Sequence, residues 1–165
     1  MATPTSLPAT FVAGDVLTAA QMNGLRGAFR IMQIVSATTS TEQSSSSSTY
    51  ADATSLSVSI TPQATTSKIM IVYMTMVNKN SASGSNECKI QFLRGATSVA
   101  AWPNVAYTGT LSNNFVPFTG IWIDSPSTTS ATTYKVQFAN GQNAALVSIQ
   151  ANNTPGTLMV MEISA

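Results

Sequence analysis

Residues 68–78 read KIMIVYMTMVN, and this stretch decides the fold. Ile69, Ile71, Tyr73 and Val77 share one parity while Met70, Val72, Met74 and Met76 share the other, so a strand here carries apolar side chains on both faces. Such a strand belongs in the middle of a sheet. Working outward, SLSVSI (55–60) alternates Leu56, Val58 and Ile60 with serines and stops at Thr61-Pro62. NECKIQFLRG (86–95) places Cys88, Ile90 and Phe92 inward and Glu87, Lys89 and Gln91 outward, closing in a turn at Arg94-Gly95.

The same reading continues to the end of the chain. TSVAAW (97–102) is a short strand, and FVPFTGIWID (115–124) is an apolar strand whose Pro117 and Gly120 suit an edge or a bend. TTYKVQF (132–138) turns Tyr134, Val136 and Phe138 inward; Asn140-Gly141 then predicts a hairpin to ALVSIQ (145–150) as its partner. TLMVMEIS (157–164) sets Leu158, Val160 and Glu162 against Met159, Met161 and Ile163, with Glu162 marking where the core ends. IMQIVSA (31–37) opens the series, and the serine-rich segment from about 38 to 49 is expected to be a mobile loop. Eight to ten short strands with no helical pattern between them predict an all-β fold, an antiparallel β-sandwich of jelly-roll type.

Composition agrees. Of 165 residues, 22 are Ser and 23 are Thr, types that favour strands and turns over helix interiors. Only 13 residues are charged, 8% of the chain against roughly 25% in an ordinary soluble domain. A net charge of +1 with no basic run leaves out the electrostatic footprint of a nucleic-acid or anionic-membrane binder, so neither is an expected partner. With no histidine, a histidine-based triad or zinc site is excluded, and the single Cys88 forms no intrachain bridge. No apolar run approaches the roughly 20 residues of a membrane span, and MATPTSLPAT lacks the regions of a secretory signal, so synthesis and folding in a cytoplasm are expected.

The first 29 residues read differently from the rest. An uncharged, proline-containing arm precedes FVAGDVLTAAQMNGLRGAFR (11–30), where Thr18 and Gln21 fit a capping box and Met22, Leu25 and Phe29 follow at helical spacing. A helix over about 19–29 is predicted, weakened by Gly24 and Gly27 and in need of a surface to lie on. The chain thus divides into residues 1–29, an arm and short helix, and residues 30–165, the sandwich.

TFVAGDVLTAAQMN, matched from Phe11 to Asn23, resembles a recurrent N-terminal motif of tailed-bacteriophage virion proteins: a phenylalanine, a Gly-Asp turn and a Leu-Thr-Ala helix start ahead of an asparagine. The downstream layout of serine-rich loop, SKIMIVYM strand and closing LMVMEIS strand resembles the trimeric jelly-roll modules of phage decoration proteins and fibre heads, similar to the tumour-necrosis-factor type of trimer. The resemblance implies a homotrimeric structural protein of a phage particle, assembled in the bacterial cytoplasm, attached by its N-terminal arm to a major capsid protein or another virion protein. The leading expectation is a capsid decoration or cement protein; the alternative is a tail-fibre or receptor-binding tip. A long-reach fibre is expected to add a stalk, and none fits between Phe29 and Ile31, which favours decoration.

Several candidate sites follow. Phe11, Val12, Leu17, Met22, Leu25 and Phe29 form a candidate virion-docking segment, against the plainer reading that the helix folds back on its own sandwich. Met70, Met74, Met76, Met159 and Met161 form a candidate trimer seam if early and late strands share a sheet, against plain core packing, for which Met is an adaptable filler. Trp102, Tyr107 and Trp122 are weighed as a platform for a host surface glycan, with core or interface burial the favoured reading. The loops 38–49, 80–86 and 104–114 are better placed for a receptor surface. Asp15, Glu42, Asp52, Glu87, Asp124 and Glu162 are scattered, with no catalytic pair or metal-loop spacing, so no enzymatic activity and no cofactor are expected. Asn152-Asn153-Thr154 is read as a turn, although it matches a glycosylation acceptor.

Overall fold

The computed structural model describes residues 31–80, 87–106, 113–141 and 146–164. They form ten strands: β1 (Ile31–Thr39), β2 (Gln43–Ser45), β3 (Ala51–Ile60), β4 (Lys68–Lys79), β5 (Cys88–Arg94), β6 (Thr97–Val105), β7 (Asn114–Asp124), β8 (Thr132–Asn140), β9 (Val147–Ile149) and β10 (Gly156–Ile163). A short 3-10 turn, Ala151–Asn153, precedes β10 at the glycosylation-like tripeptide. All pairings are antiparallel, and the strands make two sheets packed face to face, a β-sandwich of jelly-roll type. The predicted arm and helix, residues 1–29, lie outside the described residues.

One sheet runs β1-β10-β4, with β9 continuing along the same edge of β4 beyond β10 and β2 outside β9; β7 pairs with the other edge of β4. The other sheet runs β3-β8-β5-β6. The 68–78 stretch is therefore central, as its two apolar faces predict. Its inner parity, Ile69, Ile71, Tyr73 and Val77, is fully buried against Leu56, Val58 and Ile60 of β3, Ile90 and Phe92 of β5, and Tyr134, Val136 and Phe138 of β8. Each of those residues is the inward member of its alternating run.

Aromatic rings fill the core under β7. Trp102 packs edge-on against Phe92 (4.7 Å between centroids) and Phe118 (5.6 Å), and Tyr73 lies 6.4 Å from Phe92 and 6.2 Å from Phe118. Gly120 makes room for this cluster: a Cβ there would stand 3.0 Å from both the Phe118 and Phe92 ring tips. The Tyr73 hydroxyl, taken deep inside, accepts a 2.7 Å hydrogen bond from Gln150 Nε2.

Four expectations need correction. The hairpin partner of β8 is not the 145–150 run: β8 pairs with β3 and β5, while β9 crosses to the opposite sheet and pairs with β4 and β2. The backbone explains why, since Asn140 N donates to Ser47 O and Gly141 N to Glu87 O, leaving the turn residues bonded to the segments that follow β2 and precede β5. All three residues of β9 are buried, as suits a segment inserted between strands rather than a solvent-facing hairpin arm.

The supposed 38–49 loop holds β2, whose Ser44 pairs with Ser148 through backbone and hydroxyl, 2.8 Å apart. Gln43 anchors it by bonding both the N–H and the carbonyl of Thr54. Glu87, assigned outward, is buried against Gly141. Lastly, the second face of β4 is not sheltered by the other described residues: Met74 is 48% exposed.

Candidate association surface

That uncovered face belongs to the β1-β10-β4-β7 sheet, and its register brings distant residues into rows. Ile34, Met161, Met70 and Ile123 stand side by side across four strands. The next row is Ser36, Met159, Val72 and Ile121, and the third is Thr38, Thr157, Met74 and Thr119. In the third row the Thr38 and Thr157 hydroxyls bond each other at 3.0 Å. Met76 beside Pro117 and Ile163 beside Lys68 complete the two ends.

No charged side chain stands within these rows; Lys68 lies at the margin, its Nζ 2.8 Å from Ser125 Oγ. Ile31, Ile34, Ile121 and Ile123 are each more than half exposed, and Phe115 nearly so. Side chains of that size at half exposure make a patch on the order of the largest found on a soluble monomer, roughly 300–600 Å², and patches of that size are often functional.

All five methionines of the candidate seam thus lie on one face of one sheet. Met70, Met76 and Met159 are half-buried, Met74 is exposed and Met161 is buried among its neighbours. The isoleucines of β1 and β7 were not singled out from the sequence, although FVPFTGIWID carries the signal: apolar residues at both parities, as in β4. The docking residues Phe11, Val12, Leu17, Met22, Leu25 and Phe29 lie outside the described residues.

The aromatic trio does not assemble. Trp102 belongs to the core cluster, Trp122 is 45% exposed on β7, and Tyr107 lies outside the described residues. Among the described residues, Asp52, Asp124 and Glu42 are held by structural partners. Asp52 accepts from Lys135 Nζ (2.9 Å) and Gln137 Nε2 (2.7 Å), which hold its carboxyl below the usual range. Asp124 accepts from Arg94 and from the Tyr134 hydroxyl, and Glu42 from Asn152 N.

Among the described residues no three His, Cys, Asp or Glu side chains group as a metal site. Burial pushes the Cys88 thiol up to about 12, which makes it a small apolar core residue instead of a nucleophile.

No family model matches the sequence, and no curated protein matches it. Similar chains occur among solved structures. One belongs to the infectious bursal disease virus particle, 13% identical with a TM-score of 0.43, aligned over 81% of this chain and 36% of that one. The VP2 subviral particle of the same virus aligns at 17% identity and a TM-score of 0.37, over 81% and 38%. The tripod from the baseplate of bacteriophage Tuc2009 aligns at 13% identity and a TM-score of 0.40, over 95% of this chain and 78% of that one. The chain spans little more than a third of the length of the bursal-virus chains it matches.

Proposed function

We propose that this protein is a non-enzymatic structural component of a phage virion, a homotrimer that decorates and cements the capsid. The observation that carries the reading is the uncharged apolar face laid across β1, β10, β4 and β7. An isolated chain with 13 charges gains little by displaying it, whereas association of copies removes it from water. The virion assignment and the threefold state are supported by the resemblance of residues 11–23 and of the strand layout to phage decoration and fibre-head proteins. The N-terminal segment is the attachment device in this reading, with a capsid or other virion protein as its partner.

Sedimentation of the purified chain tests the association, and Met159→Asp tests the face. The wild type should sediment as a trimer or a multiple of it, and the variant should lose the threefold species while keeping an unchanged far-ultraviolet spectrum. A wild type that stays monomeric at tens of micromolar removes the proposal. On particles, gel densitometry separates decoration, with hundreds of copies, from a tail tip, with tens or fewer.

A further inference from the structure

β7 offers a second surface, its outer edge. Among the described residues β4 is its sole strand partner, so one row of its backbone N–H and C=O groups has no ladder. Pro117 identifies which row. The β4–β7 register is unbroken from Ile69↔Asp124 to Lys79↔Asn114, and a residue without an N–H fits such a ladder only where that N–H faces away from the partner. Pro117 therefore faces the open edge, and so do the backbone groups of Thr119, Ile121 and Ile123, which share its parity.

Natural edge strands are blunted by lysines, bulges or very short length. β7 has 11 residues, no bulge and no charged side chain at its edge; Asp124 is turned in to Arg94 and Tyr134. Pro117 protects only one end. At the other end Ile121, Trp122 and Ile123 are 57%, 45% and 55% exposed in succession, so both faces of the strand show apolar surface. Trp122 has the inner parity, opposite Ile71 in the ladder, yet it stands half in solvent at the open flank.

We propose that β7 pairs with β7 of a second copy, antiparallel about a twofold axis through Ile121, extending the sheet from one molecule into the next. In this register Thr119 meets Ile123 of the other copy and Ile121 meets itself, each pair exchanging both backbone bonds, and the pairing ends before Pro117 removes a donor. The same register sets each Trp122 opposite Gly120 of the other copy, a large side chain against the position that lacks one, where the indole covers the Phe118–Trp102 side of the core. Sliding the strands by two residues in one direction brings Pro117 into the ladder, and in the other direction opposes the two tryptophans.

A second copy fits this edge better than a foreign peptide because the sequence around Ile121 complements itself in size and carries no charge. The pairing uses the backbone edge of β7, whereas the threefold seam uses the face to which β7 contributes the side chains of Ile121 and Ile123, so the two contacts engage different groups of one strand. Where both operate, trimers join edge to edge.

Cysteine cross-linking in the full chain tests the register. Cα atoms of a hydrogen-bonded pair lie about 5.5 Å apart, within disulfide reach, and the native Cys88 is buried. Ile121→Cys should form a disulfide dimer under mild oxidation, and so should the Thr119→Cys/Ile123→Cys double variant. Ile123→Cys alone should not, since the two Ile123 positions stand roughly 13 Å apart along the strands. Ile121→Pro, which removes an edge-facing N–H without touching β4, should abolish association beyond the trimer.

A folded Ile121→Cys protein that stays unlinked overturns the pairing, as does equal cross-linking of Ile123→Cys. Adding Met159→Asp to Ile121→Cys separates the two interfaces: loss of the trimer with the dimer retained leaves the edge pairing standing alone.

Discussion

Glu162 shows how this chain keeps a carboxylate inside a sandwich. It is fully buried at the end of the inner face of β10, and its donors are neutral: Gln33 Nε2 at 2.6 Å, Gln63 N at 2.7 Å, the Ser67 hydroxyl and the Ala64 backbone. Burial pushes its pKa up, but these hydrogen bonds outweigh burial and hold the carboxyl below the usual glutamate range. A group depressed in this way stabilises the fold above its unfolded value of about 4.3, and the contribution vanishes as pH falls through the folded value. Glu162→Gln should therefore cost about 1.5–3 kcal/mol at pH 7, the range for hydrogen bonds to a charged group, and progressively less below pH about 4. Urea unfolding of both proteins at pH 7 and pH 3 checks this; an equal deficit at both values means the carboxyl is not ionised in the fold. The sequence marked Glu162 as the end of the core, but the donors come from 33 and 63–67, a convergence that no local pattern encodes.

At the scale of elements, three strands meet in one clamp. Arg94 at the end of β5 donates through Nη1 to both oxygens of Asp124 at the end of β7, at 3.0 and 2.8 Å, and Tyr134 of β8 donates to Asp124 at 2.7 Å. The clamp ties the edge strand of one sheet to two strands of the other. Arg94→Met leaves Asp124, with a side chain only 10% exposed, facing a single hydroxyl, and should cost about 2 kcal/mol; the partial exposure of Arg94 keeps this below the loss of a fully buried pair. Tyr134→Phe should cost about 1 kcal/mol. Urea midpoints measure both, and a larger loss for Tyr134→Phe would place the clamp's strength in the hydroxyl. The strands supplying these groups were legible because period-two alternation is a local property: Leu56, Val58, Ile60, Ile90, Phe92, Tyr134, Val136 and Phe138 are all buried as their spacing predicts. β2 and the partner of β9 were not legible. A run of serines carries no periodicity, and an Asn-Gly turn signal says that the chain reverses without saying which sheet it then joins.

For the whole molecule, the decisive feature is a surface finished on only one side. Both faces of the β1-β10-β4-β7 sheet carry apolar side chains, but among the described residues only the inner face has a sheet packed on it. The double parity of residues 68–78 predicted a strand covered on both faces; among the described residues nothing supplies the covering for the second. If copies supply it, folding and association are linked, and stability acquires a concentration dependence that a self-sufficient monomer lacks. Raising the protein concentration a hundredfold should then raise the thermal midpoint by on the order of 5 °C, since mass action adds about 2 kcal/mol per chain and a domain this size gains roughly 2–4 °C per kcal/mol. Met159→Asp, which puts a charge in the middle of the face, should melt lower and with a weaker dependence on concentration. Ile121→Pro should keep the dependence if the face alone drives trimerisation. A wild-type midpoint that does not move over two decades of concentration would mean that copies of the chain do not cover the face, and the proposed association would lose its physical basis.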